Sequence, residues 1–255
     1  MAGSIKQMKP RWSSFLAPVL LLGFGGWMVH TGSAERTIAA APRITPSTMH
    51  EYAGTGIPVL LEARAVAIPP LMTPAGEELA LQRLTLTHES GSGDDRETVT
   101  DYDVLLPGEI WASEAGAVVR VVTTGADPRF IPEIASNRTA RGGSLPPGVA
   151  ARVGAGFRDL PTRSNLDLSV RAIPNREPVV VYGIVEIKEG SPLIGAPGGG
   201  RPFVITSLNV ESLIHQTGST GMFLSRAGWA CAAFGIILGV AVVRHPGRAL
   251  PPGTA

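Results

Sequence analysis

The chain has 255 residues, 22 basic and 21 acidic, for a net charge of +1 at neutral pH. So even a balance gives no overall basic footprint for nucleic acid. The single cysteine, Cys231, excludes an intramolecular disulfide and any cysteine-built zinc module.

The charge is nevertheless unevenly placed. All 21 acidic residues lie between Glu35 and Glu211, among 16 basic residues, a net charge of −5 for that region. The other six basic residues (Lys6, Lys9, Arg11, Arg226, Arg244, Arg248) sit in flanks without acid. Two apolar runs, Phe15–Val29 and Gly228–Val243, bracket the acidic region. Their length is at the short end of what crosses a bilayer core of ~30 Å at ~1.5 Å per residue. Basic residues close to a membrane segment set its orientation. The expected layout is a cytoplasmic tail (1–14), a first transmembrane helix (15–30), a stalk (31–53), an exported β domain (54–217), a second transmembrane helix (222–243) and a cytoplasmic tail (244–255). Arg226 is expected to snorkel at the outer boundary.

The first run has a competing reading as a cleavable signal peptide, with its basic lead and the small residues Gly32-Ser33-Ala34. Pro18, Gly23, Gly25 and Gly26 interrupt the run and fit either reading. A retained anchor is expected. On both readings the central domain is exported, placing the protein in the cytoplasmic (inner) membrane with a periplasmic or extracellular domain.

The 31 glycines and 22 prolines point to short strands and turns rather than long helices. Thr37–Pro46 reads as a polar stalk. Ile57–Val66 is a strand closed by Pro69-Pro70, and Leu79–His88 alternates imperfectly as a second. Glu89–Thr98 is a charged hairpin tip. Ala117–Thr124 is a strand ended by Gly125-Ala126-Asp127-Pro128, and Ser136–Pro147 reads as loop. Val179–Ile187 is the clearest strand; its apolar character on both faces marks it as central. Gly195–Pro202 is a loop before a last strand, Phe203–Ser207. Asn209–His215 is a helical turn or two with Asn209 as N-cap. The expected fold is a β-dominated extracytoplasmic domain (α+β with short helices) flanked by two transmembrane helices.

The stretch VLLEARAVAIPPLMTPAGEELALQRLTLTH (Val59–His88) resembles the opening of the GIDE domain, a membrane module of MULAN-type mitochondrial E3 ubiquitin ligases and their bacterial relatives. EPVVVYGIVEIKEG (Glu177–Gly190) and GGGRPFVITSLNVESLI (Gly198–Ile214) are similar to that family's closing strands and the helix leading to its second membrane segment. The resemblance spans Gly54 to Val243 and is poor between Asp127 and Asn175. It implies a membrane segment, a β domain and a second membrane segment. Those ligases act through a RING finger whose zinc ions need four Cys or His ligands each, and this chain has a single cysteine. A ubiquitin-transferase activity is therefore not expected of it.

Other chemistry is sparse. His30, His50, His88, His215 and His245 are widely separated, with no metal-ligand spacing. Ser92, His88 and Asp94 or Asp95 form a triad only on paper, since a hairpin tip buries and orients no base. Gly198-Gly199-Gly200-Arg201 reads as a turn, with anion binding through backbone amides as the sharper alternative. Asp101 and Asp103 read as a solvated strand end, and Asn137-Arg138-Thr139 is a glycosylation sequon only in a host that glycosylates, whereas the Gly/Ala/Arg-rich composition points to a bacterium that does not. In the second apolar run, Gly235 and Gly239 form a GxxxG that Gly228 and Ala232 extend, a small face for close helix packing in lipid. Its partner is the first run, through Gly23 or Gly26, or a second copy. The function expected is a non-enzymatic two-pass membrane protein whose β domain binds or senses a protein or small ligand in the envelope. Its partners are the lipid bilayer and an envelope protein or second copy, with no nucleic acid, no cofactor and no catalytic or metal residues. The alternatives are a RING-less member of the ligase family and an envelope enzyme with an unfamiliar site.

Overall fold

A computed structural model describes residues 15–73, 76–90, 97–139 and 166–244. The chain divides into a helical unit and a β unit, Ala40–Ile214.

The helical unit contains α1 (Leu16–Ala39) and most of α2 (Val210–Arg244). Pro18 falls in the first turn of α1, where a missing N–H costs no helical bond. The helix then runs through Gly23, Gly25 and Gly26 to Ala39, so the expected stalk begins as helix rather than extended chain. Asn209 caps α2: its Oδ1 accepts from the Ser212 N–H at 2.8 Å. The helix does not stop after a turn or two. It continues for 35 residues without a break, about 52 Å at 1.5 Å per residue. The separate boundaries expected at 217 and 222 are thus one helix. Among the described residues, one helix (Val210–Val243) is long and apolar enough to cross a membrane, where two were expected. In α1 the apolar run gives way to polar residues from His30 to Arg36.

Among the described residues the β unit has twelve strands. β1 is Arg43–Ile44, β2 Pro58–Val66, β3 Leu71–Met72, β4 Glu78–Ser90, β5 Glu97–Leu106 and β6 Glu109–Glu114. β7 is Ala117–Val122, β8 Glu133–Thr139, β9 Leu166–Pro174, β10 Pro178–Lys188, β11 Ser191–Gly195 and β12 Val204–Thr206. Five of them close a barrel in the order β2-β6-β7-β11-β10 and back to β2. Every pairing is antiparallel except β11 with β7. Numbered within the barrel, the order is 1-2-3-5-4, the Greek-key arrangement of an OB-type barrel. The hairpin of β4 and β5 is inserted between its first two strands, and β8 and β9 between its third and fourth. β4, β5, β8 and β9 form a second sheet with β3 at its edge.

Alternation explains the barrel. Val59, Leu61 and Ala65 of β2, Ile110 and Ala112 of β6, Val119 and Val121 of β7, and Val179, Val181 and Val185 of β10 point into one buried core. β10 joins it together, pairing with β2 over Pro178–Ile184 and with β11 over Ile184–Lys188. Its opposite face is buried as well, through Val180 and Tyr182. At Gly183, where β10 changes neighbours, an added Cβ would lie 2.5 Å from the Gly195 carbonyl oxygen and 2.7 Å from Ile194. Only glycine permits that approach.

Several expectations change. Residues 136–139, read as loop, belong to strand β8, and 140–147 lie outside the described residues. Asp103 is not a strand end: it sits within β5, opposite Thr85. The tip bearing Ser92, Asp94 and Asp95 lies outside the described residues, as does His245.

Val181 is fully buried between Leu61 and Ile205 of the adjoining strands. Val181→Asp should cost several kcal/mol and abolish the protease resistance of the β unit in a limited-trypsin assay. Resistance equal to the parent's would show that β10 is not the closing strand.

Candidate functional site

Two regions bring chemically distinctive residues together: the seam between the helices and a cleft in the β unit.

Within the helical unit, α1 and the part of α2 from His215 onward run antiparallel. Gly25 meets Gly228, and Gly32 meets Gly221, so closely that a Cβ on any of the four would lie 2.6–2.7 Å from the opposite backbone carbonyl. A Cβ on Gly235 would meet Pro18 and Leu21 at 3.1 Å. The contact glycines recur every seven residues, at 25 and 32 on α1 and at 221, 228 and 235 on α2. That spacing is a coiled-coil seam rather than a four-residue glycine motif. Ala232 belongs to it, its Cβ 3.2 Å from where a Gly25 Cβ would be. Gly239 has only Pro18 at 3.8 Å, and Gly23 and Gly26, the residues expected to face α2, have nothing within 4 Å. The sequence reading therefore chose the wrong glycines on α1. Arg36 crosses the seam to donate to the Ser225 Oγ at 3.0 Å. Large apolar side chains face outward instead, among them Phe24, Trp27, Phe223, Trp229, Phe234 and Ile237.

The cleft, about 620 Å³, opens where Arg83 and Asp103 of the second sheet meet the Thr123–Pro128 turn and the Arg201–Phe203 segment. Arg83 lies opposite Arg171 across β4 and β9, a like-charge pairing that destabilises unless each charge is answered. Each is answered from an outer strand. Arg83 donates to both carboxylate oxygens of Asp103, its Nε at 2.7 Å from Oδ1. Arg171 reaches Glu133 at 3.2 Å and donates to the Ile131 carbonyl at 2.9 Å. The Arg83 hydrogen bonds hold the Asp103 carboxyl below its usual value of 3.8, against the opposing effect of partial burial. Asp127 is answered by Arg129 at 2.7 Å, and its side chain also caps the next turn by accepting from the Arg129 N–H.

The turn is held at both ends. The Thr123 N–H donates to the Gly108 carbonyl at 2.9 Å and its hydroxyl to the Pro107 carbonyl at 2.6 Å. The Ala126 N–H closes the turn on Thr123, and the Asp127 N–H donates to the Phe203 carbonyl at 2.7 Å. Gly125, at φ 84°, supplies the left-handed third position of a type II turn. Across the cleft, Gly199 and Gly200 take φ 75° and 73° just before Arg201, a bend that other residues strain to follow. A second cleft of about 560 Å³ is lined by Glu62, Arg64 and Glu114; its Arg64 already donates to the Arg176 carbonyl.

The remaining sequence candidates do not converge. His30, His50 and His215 are exposed at separate places, and His88 pairs within β4. Among the described residues no group of three His, Cys, Asp or Glu side chains lies close enough to hold a metal ion. Asn137-Arg138-Thr139 lies in β8. The sequence singles out Arg201 within a glycine turn whose sharper reading is anion binding, and Asp103 as a strand end, but not Arg83, Thr124 or Asp127, which only the fold brings into the same cleft. Compared with protein-family models, curated proteins and solved structures, the chain matches none.

Gly228→Leu should destabilise the helical unit by at least 1–3 kcal/mol through overpacking. That is a loss of about 2–4 °C per kcal/mol in the melting temperature of the full chain in nonionic detergent. Gly26→Leu and Gly239→Ala should leave melting within about 2 °C of the parent. Equal losses for all three would mean that the seam lies elsewhere.

Asp103 also predicts a pH dependence. Its folded pKa is lowered, so its contribution is present above the unfolded value and lost as pH falls through the folded one. Asp103→Asn should therefore destabilise near neutrality, by about 1 kcal/mol for a partly exposed pair. The difference from the parent should shrink as urea denaturation is repeated below pH ~4. A difference that is constant from pH 7 to pH 2.5 would remove the ion pair as its source.

Proposed function

We propose that this chain is a non-enzymatic, two-pass protein of the cytoplasmic membrane whose exported barrel domain binds a protein or small ligand in the cell envelope. The membrane assignment rests on the inverted packing of the helical unit. Trp27 and Trp229 are 59% and 67% exposed while glycines fill the seam. In water the apolar exterior would be a liability; in lipid, helices associate through close backbone contact and large side chains face the acyl chains. α1 contributes less apolar length than α2, and its packed seam with α2 is what supports counting it as the second crossing. The order helix, β domain, helix is also the order that the GIDE resemblance implies. That resemblance enters here as a proposal, without any transferase activity.

Binding rests on the cleft. Its size suits a small molecule or a few residues of a partner chain, and three of its four charged groups, Arg83, Asp103 and Asp127, are anchored on strands or a braced turn. The paired carboxylates there are engaged by arginines rather than by a base or a nucleophile, which favours recognition over catalysis.

Fusing alkaline phosphatase after Gly156 should give activity in a bacterial host, and fusing it after Ala255 should not. Adding a periplasmic extract to the detergent-purified full chain should slow hydrogen exchange at residues 123–128 and 201–203. Activity at both fusion sites would refute two crossings, and unchanged exchange in the cleft would refute the binding role.

A further inference from the structure

We propose that the cleft receives an oxyanion, the carboxylate or phosphate group of its ligand, on the Arg201 guanidinium and the amides of Thr124 and Gly125. This deepens the binding reading above and depends on it. Four charged side chains line the cleft: Arg83, Asp103, Asp127 and Arg201. The two carboxylates are each neutralised in place, Asp103 by Arg83 and Asp127 by Arg129. Arg201 makes no ion pair among the described residues. The cleft therefore carries one positive charge that no carboxylate answers among the described residues.

The backbone adds donors. The hydrogen bonds of the turn use the N–H groups of Thr123, Ala126 and Asp127; those of Thr124 and Gly125 have no backbone acceptor among the described residues. These two amides line the same cleft as Arg201, and successive free amides of a turn can hold an anion. Arginine's planar fork suits a carboxylate or phosphate better than a point charge does.

Two features make the receptor stable before any ligand arrives. The Phe203 carbonyl holds the Asp127 N–H, and Ala126 bridges Phe203 in parallel. The turn is thereby fixed to the segment that carries Arg201. Arg201, Thr124 and Gly125 are exposed at the mouth of the cleft, with the half-buried Pro128 and Pro202 beside them, so an anion can reach all three donors. A binding partner that offers a cation instead would meet no carboxylate without its own arginine.

The test is a titration of the full chain in nonionic detergent, at constant ionic strength, with inorganic phosphate and separately with acetate. The readout is the amide resonances of Thr124 and Gly125. One or both anions should shift them saturably, and which of the two does so assigns phosphate or carboxylate as the group recognised. Arg201→Gln should weaken the apparent Kd at least tenfold, and Arg201→Lys, which keeps the charge but loses the fork, by less. Arg129→Gln should also weaken it, by uncovering the Asp127 charge. Lys188→Gln, on the exposed end of β10 outside the cleft, should leave it unchanged. Absence of a saturable shift up to 100 mM of either anion, or an unchanged Kd in Arg201→Gln, overturns the inference. If extract-dependent protection of the cleft persists in that case, the binding role stands and its occupant is not an anion.

Discussion

The β unit depends on one strand making two different pairings along its length. β10 uses its first half to hold β2 and its second half to hold β11. Without that division the five strands remain an open sheet with unpaired edges. The constraint reaches individual residues. Pairing on both sides, with burial on both faces, explains the run Val179-Val180-Val181-Tyr182. The change of neighbour explains Gly183, since the Gly195 carbonyl and Ile194 occupy the space that any side chain there would need. Because β11 pairs in parallel with β7, closure also holds in place the end of β7, from which the Thr123–Pro128 turn departs. The cleft is thus a consequence of barrel closure rather than a separate device.

The helical unit answers a different constraint, close backbone approach, with a different distribution of side-chain size. Glycines at seven-residue intervals remove the steric shell, so the helices touch through carbonyls and Cα atoms. The attraction is then dispersion and weak hydrogen bonding, each small per contact and additive along the seam. Arg36 and Ser225 add one conventional hydrogen bond near its polar end. The same glycines would weaken an isolated helix in water, by roughly 1 kcal/mol each relative to alanine. Their concentration in the seam is understandable only if packing returns more than propensity loses.

What was legible in the sequence follows from where the apolar residues sit. β2, β4, β7 and β10 stood out because they carry contiguous or alternating apolar residues. β9 alternates cleanly at Leu166, Leu168, Val170 and Ala172, yet it lies in the stretch where the family resemblance fails, and it was passed over. β6 (EIWASE) reads as polar because half of the strand faces away from the core. The Asn209 cap was correct locally. The length of α2 was not readable, because Thr217, Gly218, Ser219, Thr220 and Gly221 are poor helix formers that tertiary packing overrides. The seam was half legible. Small residues on α2 were visible, but the seven-residue period becomes evident only when Gly25 and Gly32 of α1 are set against them.

Beyond the glycine turn at Gly198–Arg201, the cleft was not legible as a site, for a reason that applies to any site built on a closed sheet. Its charged residues come from positions 83, 103, 127 and 201, and no spacing rule connects them. Each has an ordinary local explanation: a strand arginine, a strand aspartate, a turn cap, a loop cation. Their relationship arises from the diagonal between β4 and β5 and from the hydrogen bond between Asp127 and Phe203. It also separates two kinds of arginine that sequence cannot tell apart. Arg83, Arg129 and Arg171 have carboxylate partners supplied by the fold, so their charges are consumed in holding strands and turns together. Arg201 follows two left-handed glycines, and among the described residues no carboxylate answers it. That difference, rather than any property of the arginines themselves, is what makes Arg201 the residue of the cleft proposed to meet an external anion.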